Sequence, residues 1–218
     1  TACAPKPAVE ATVRNDRLAG GVRMITVQTP KGAFKGWTKR MGENPRIKVL
    51  LLHGGPGATH EYFEALDSYF PAAGIEYYYY DQLGSAYSDQ PKDKSLWTLD
   101  RFVDEVEQVR QALKLDKDNF VLLGQSWGGL LAMEYALSHQ EHLKALVISN
   151  MMSSIPAYND YAETKLIPAM KPEVQKEILQ LEAAQDYDNP RYMELLVPNY
   201  YTQHILRMPP DQWPDPVN

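Results

Sequence analysis

The chain has 218 residues, of which 44% are hydrophobic, 23% charged and 11% aromatic. These are ordinary values for one globular α/β domain with an insertion or for two small domains, and they exclude collagen-like, fibrous and intrinsically disordered classes. Lys and Arg number 22 against 28 Asp and Glu, a net charge of −6, which excludes a nucleic-acid surface, whose affinity comes from cations meeting phosphates. No apolar run is long enough to span a bilayer.

The single cysteine, Cys3, excludes a disulfide framework and cysteine-based metal clusters. Thr1-Ala2-Cys3-Ala4-Pro5-Lys6-Pro7 places small residues before it and an Ala- and Pro-rich stretch after it. Residues 1–20 therefore resemble the end of a bacterial lipoprotein signal with its tether. In that reading Cys3 carries lipid, the only route to a membrane, and the protein sits in the periplasm or cell envelope. The plain alternative is a disordered terminus with a chance cysteine on a cytoplasmic protein.

Residues 21–155 alternate strand and helix patterns. Met24-Ile25-Thr26-Val27-Gln28 and Ala33-Phe34-Lys35-Gly36-Trp37-Thr38, split by Thr29-Pro30-Lys31-Gly32, predict a β-hairpin. The run Ile47–Leu52 ends in His53-Gly54-Gly55-Pro56-Gly57, as expected of a strand buried on both faces that stops at a glycine-rich turn. A short helix is expected near Glu61–Phe70, then a strand, Ile75–Tyr80, and the loop Asp81-Gln82-Leu83-Gly84-Ser85-Ala86-Tyr87-Ser88-Asp89. Thr98 is placed to cap a helix whose Leu99, Phe102, Val103, Val106, Val109 and Leu113 share one face. Phe120–Leu123 runs into Gly124-Gln125-Ser126-Trp127-Gly128-Gly129, followed by a helix over Leu130–His139 and a strand over Leu143–Ser149. Such alternation predicts a mostly parallel sheet covered on both faces, with ligands at the carboxyl ends of its strands.

The pattern changes over 156–218, where helices are expected near Glu173–Asp186 and Arg191–Leu206, interrupted by Pro168, Pro172, Pro190 and Pro198. Acids and bases number 18 and 17 before residue 156 but 10 and 5 from there on. This acidic helical segment reads as a cap over the active edge of the sheet.

Gly124-Gln125-Ser126-Trp127-Gly128 fits G-x-S-x-G between an apolar strand and a helix, the context of a nucleophile elbow. Its glycines let the chain turn sharply enough to expose the Ser126 hydroxyl, and the helix N-terminus favours developing negative charge. The Gly55 amide after the third strand and the Trp127 amide at the elbow are the candidate oxyanion donors. His53 reads as a ring holding its loop, because the base of such a site follows a later strand. The plain alternatives are a Gly-Ser turn and a Gly/Pro turn.

The three loop segments 53–57, 81–89 and 124–129, in this order, resemble the proline iminopeptidase family of serine α/β-hydrolases. The middle segment departs from the usual form, with Leu83 where Arg is frequent and Ala86 where Gly is. The resemblance implies an α/β-hydrolase fold with a helical cap, release of N-terminal proline from a peptide with a free N-terminus, and no metal or organic cofactor. It further implies that cap carboxylates hold the substrate ammonium. Glu194 is the first candidate and Glu163 the second, with Tyr200, Tyr201 and His204 around the pyrrolidine ring. An esterase or other amide hydrolase of the same fold, and a non-catalytic binding protein, stay open as alternatives.

In such hydrolases the triad runs Ser, then Asp or Glu, then His, on loops after later strands. After Ser126 the histidines are His139, His142 and His204, and none follows a late strand. The expectation is that the Asp and His come from a further C-terminal segment or from a second polypeptide, and that without it the sheet exposes an apolar edge.

Overall fold

The computed structural model describes residues 19–217; Cys3 and most of the expected tether lie outside them. Six strands form one sheet in the order β1-β2-β4-β3-β5-β6. The predicted hairpin is β1 (Val22–Thr29) and β2 (Gly32–Met41), antiparallel, with Thr29 opposite Gly32. Strand β2 also runs antiparallel to β4 (Glu76–Asp81). From β4 onward, β3 (Lys48–Leu52), β5 (Phe120–Gln125) and β6 (Ala145–Ser149) are parallel neighbours. All three glycine-containing loops thus leave the carboxyl ends of β3, β4 and β5 on one edge.

Alternation along β4 divides four consecutive tyrosines between the two faces. Tyr78 and Tyr80 join the cluster of Leu50, Leu52, Leu122 and Phe120, while Tyr77 and Tyr79 join Trp37, Val49, Leu51 and Phe63. Buried hydroxyls need partners. Tyr77 and Tyr79 both donate to Asp67, Tyr78 donates to Glu76, and Tyr80 donates to Glu105.

Helix α1 (Leu99–Leu113) covers the first cluster with Phe102, Val106 and Val109, as its apolar stripe predicts. Thr98 occupies the N-cap position, but its side chain makes no capping bond. Helix α2 (Trp127–His139) begins immediately after Ser126, three residues before the expected start. Its first turn holds two glycines, and packing rather than helix propensity sets that boundary: a Cβ on Gly128 would lie 1.9 Å from the Leu52 carbonyl oxygen. On the opposite face Glu61–Ser68 is a 3-10 helix rather than an α-helix, with Phe63 its one buried anchor. Cover on both faces holds for β3 and β4 but not for β6. Val147 and Ile148 are each 42% exposed on that edge strand, which pairs only with β5 among the described residues.

The segment from residue 155 is helical, as expected, but more broken. It comprises α3 (Ile155–Tyr161), a π-helical turn (Ala162–Leu166), α4 (Pro172–Ala183), α5 (Pro190–Leu196), a π-helical stretch (Val197–Ile205) and 3-10 turns at Ile167–Ala169, Pro210–Gln212 and Asp215–Val217. Pro172 and Pro190 open α4 and α5, where their missing N–H is not needed. Asn189 caps α5 by accepting the Arg191 N–H at 3.0 Å. The expected helix over Arg191–Leu206 changes its pitch at Pro198, which has no N–H to continue the α pattern. Ile178, Leu195 and Tyr200 are the buried apolar residues of this cap.

Candidate active site

Ser126 has φ 55° and ψ −123°, backbone angles that non-glycine residues seldom adopt and that persist only where the surroundings enforce them. Its N–H donates to the Ser149 carbonyl of β6 at 3.0 Å, and its own carbonyl accepts from Gly129 and Leu130 at 2.9 and 3.2 Å. The turn closes because two side chains are missing. A Cβ on Gly124 would stand 2.1 Å from the Gly128 oxygen, and one on Gly128 would strike β3.

Beside the elbow, Gly55 has φ 113°; Gly55 and Trp127 line one cavity with Ser126, and their N–H groups donate to no acceptor among the described residues. His53 is fully buried. The Gln82 N–H donates to its Nε2 at 3.1 Å, so Nδ1 carries the proton and donates to the Gly54 oxygen at 2.9 Å. Burial pushes its pKa below the usual imidazole range. The ring is a neutral brace, as the sequence suggests. Gln82 continues the brace: its Nε2 donates to the His53 carbonyl at 2.9 Å and its Oε1 accepts from Trp127 Nε1 at 3.1 Å. Tyr62 accepts from the Gly54 N–H at 2.7 Å and donates to Gln125 Oε1 at 2.9 Å, and burial pushes its hydroxyl up to about 12. These bonds lock loops 53–57, 81–89 and 124–129 together.

A cavity of about 670 Å³ opens onto Ser126, walled by Gly55, Leu83, Trp97, Phe102, Trp127 and Tyr158. Its apolar wall rests on buried charges that the sequence reading did not single out. Glu105 accepts the Leu83 N–H at 2.9 Å and pairs with Arg101. The Arg101 guanidinium lies 3.8 Å from the centre of the Phe102 ring and donates through Nε to the Leu96 carbonyl at 2.8 Å. The available signal was an i,i+4 Arg-Glu pair bordering the apolar stripe of α1. A second unforeseen pair joins His60 Nδ1 to the buried Asp81 at 2.8 Å, tying the first loop to the second. Leu83 is buried in the wall, and Ala86 sits at φ 34°, on the left-handed side that glycine adopts most freely.

The other predicted residues fall elsewhere. Glu163, Tyr200 and Tyr201 line a separate cap cavity of about 480 Å³ that shares Tyr158 and Asn159 with the Ser126 cavity. Glu194 is exposed and pairs with Arg191 at 3.3 Å. His204 is exposed and packs edge-on against Tyr200 at 5.0 Å. His139 ends α2 and His142 lies just beyond it, about 20 Å from the elbow at 1.5 Å per helical residue. Among the described residues, no hydrogen bond joins the Ser126 hydroxyl to a histidine.

An α/β sheet with an elbow serine, paired free amides and a helical cap defines a hydrolase-type scaffold. Residues 48–191 match the family described as alpha/beta hydrolase fold, and the chain belongs to that family. It is 62% identical over 195 residues to a proline iminopeptidase of Flavobacterium johnsoniae and 54% identical over 195 residues to one of Chitinophaga pinensis. Each match covers 89% of this chain and 65% of the relative, so the chain spans about two thirds of the length of these relatives. Among solved structures it resembles VinJ, at 32% identity and a TM-score of 0.79 over 89% of this chain and 64% of that one. It also resembles a proline iminopeptidase of Mycobacterium smegmatis, at 29% identity and a TM-score of 0.72 over 87% and 62% of the two chains.

Proposed function

We propose that the chain carries the nucleophile half of a serine aminopeptidase that releases N-terminal proline. The observation that carries this reading is the strained Ser126 elbow lining one apolar cavity with Gly55 and Trp127, whose amides have no acceptor among the described residues, in a chain so similar to proline iminopeptidases. Ser126 Oγ attacks the scissile carbonyl as its proton passes to a base. The two amides stabilise the oxyanion, and the amine leaves as the acyl-enzyme forms, to be hydrolysed by water. The apolar wall of Leu83, Trp97 and Phe102 suits a pyrrolidine ring. The base and its acid come from residues outside those described, in a further segment or a second polypeptide. The substrate ammonium falls to the acidic cap, where Glu163 lines a cavity that borders that of Ser126 across Tyr158 and Asn159.

The test is hydrolysis of proline and alanine arylamides and of a simple acetate ester by the intact protein, with Ser126→Ala beside it. Proline release that vanishes in Ser126→Ala supports the reading. A strong preference for the ester would assign an esterase, and no reaction of Ser126 with a fluorophosphonate would assign a binding protein.

We also propose that Cys3 is lipidated and holds the protein in the cell envelope. No helix among the described residues is long and apolar enough to cross a membrane. With the lipid as anchor, Cys3→Ser should move the native protein from the membrane to the soluble fraction. A wild-type protein already soluble in its host would reject the anchor.

A further inference from the structure

At the end of α2 remote from Ser126, three ligand-type side chains converge that the serine chemistry does not use. His139 closes α2, His142 ends the 3-10 turn Gln140–His142 after it, and Glu107 faces them from α1. One ligand atom of each lies within 4.8 Å of the others. His142 Nε2 is 4.0 Å from Glu107 Oε1 and 3.5 Å from Glu141 Oε1. We propose that His139, His142 and Glu107 bind one divalent transition ion of the zinc type and so clamp the end of α2 to α1.

The separations fit an ion better than they fit direct hydrogen bonds. At 4.0 Å a nitrogen and an oxygen are too far apart to bond, whereas two ligands of one tetrahedral zinc ion stand roughly 3.3 Å apart, given metal-ligand distances near 2 Å. Small side-chain adjustments close that difference. The outer partners are in place as well. The Tyr135 ring packs against His139 at 4.9 Å while its hydroxyl donates to Glu107 Oε2 at 2.7 Å, so one residue orients two ligands. The two imidazole planes are within 18° of parallel, with centroids 6.1 Å apart.

Arg110 donates to both Glu107 oxygens at 2.8 and 2.6 Å, and Gln111 donates to Oε1 at 2.7 Å. With the Tyr135 bond these fill the carboxylate's four acceptor sites, so an ion on Oε1 takes the place of the exposed Gln111 amide, while Arg110 and Tyr135 keep the carboxylate in orientation. Arg110 also offsets the Glu107 charge, which keeps the affinity below that of a closed structural site. Ion selectivity follows from the donors. Two imidazoles with one carboxylate favour Zn²⁺, Ni²⁺ or Cu²⁺, whereas Mg²⁺ and Ca²⁺ require more oxygen.

The experiment is calorimetric titration of the intact, chelator-stripped protein with Zn²⁺, with Mg²⁺ as a control, alongside thermal unfolding with and without zinc. The expected result is saturable binding of one Zn²⁺ per chain, a raised unfolding midpoint and no response to Mg²⁺. His139→Gln and His142→Gln should each weaken zinc binding by at least about the tenfold that loss of an outer partner alone costs, with circular dichroism unchanged, and His204→Gln should bind as wild type. Glu107 is a poor first choice, because its loss frees Arg110 and Tyr135 and threatens the fold. Absence of saturable zinc binding overturns the proposal. So does undiminished affinity in the His139→Gln/His142→Gln double variant, which would place the ion elsewhere.

Discussion

The edge of the sheet and the cap are both built from short segments, yet they are held in opposite ways. At the edge, atoms exclude one another: Gly124 and Gly128 meet backbone at distances that leave no room for a side chain, Gly54 sits tightly against Ser126, and hydrogen bonds from Gln82 and Tyr62 join the loops. In the cap, helices of 7 to 12 residues are punctuated by prolines and tied by exposed ion pairs such as Arg191 with Glu177. Exposed pairs contribute little to stability. The molecule therefore places its candidate nucleophile on the part that cannot yield and hangs over it a part that can adapt to a ligand.

The strongest way to break this contrast is to remove a buried charge beneath the rigid part. Glu105→Leu leaves Arg101 buried without its carboxylate and the Leu83 N–H without an acceptor. Losing one partner of a buried pair costs about 3–5 kcal/mol. Urea unfolding of the intact protein measures it, and a change within experimental error would mean that the pair does not support the wall. Gly128→Ala should follow, at or above the top of the roughly 1–3 kcal/mol that overpacking costs, because its Cβ meets the backbone oxygen of Leu52 rather than a side chain able to swing away. Near-normal stability in that variant would show that the elbow can relax.

These two sites also mark how far the sequence could be read. The elbow was legible because glycine spacing is a direct record of steric exclusion, and α1 was legible because Phe102, Val106 and Val109 repeat at the helical period. Arg101 and Glu105 were not, since a charge beside an apolar stripe is ordinarily solvated and only the tertiary fold buries it. Nor were His60 and Asp81, whose 21-residue separation hides a 2.8 Å contact. In the cap the prolines announced where helices begin, but not that Tyr200 and Tyr201 would face Glu163 while Glu194 turned outward. Short elements carry too few residues for periodicity to fix a face.

A smaller effect sharpens the rigid side of the comparison. His53 is buried and neutral, with its pKa lowered by burial from the ordinary 6.5. The unfolded chain therefore binds a proton that the folded chain refuses. That contribution is complete above about pH 6.5 and is lost progressively as pH falls from there toward the folded pKa. Stability of the wild type should fall over this range more steeply than that of His53→Gln, which has no proton to gain. Parallel slopes in urea unfolding at pH 5 to 8 would show that the ring is not held neutral.

The smallest expected effect lies in the cap and separates its two candidate anchors. Glu194 is exposed and its one described ion pair is with Arg191, so Glu194→Gln should leave the unfolding midpoint and the KM for proline arylamide as in wild type. Glu163 opens onto the cavity that shares Tyr158 and Asn159 with the Ser126 cavity, so Glu163→Gln should raise KM for substrates with a free amine and spare N-blocked analogues. Only the former carry a cation to pair. The comparison is internal, because both variants remove one negative charge from the same acidic segment. Equal changes in both would mean that the cap acts through its overall field, whereas a larger effect from Glu194 would require the cap to rearrange on binding and bring that side chain inward.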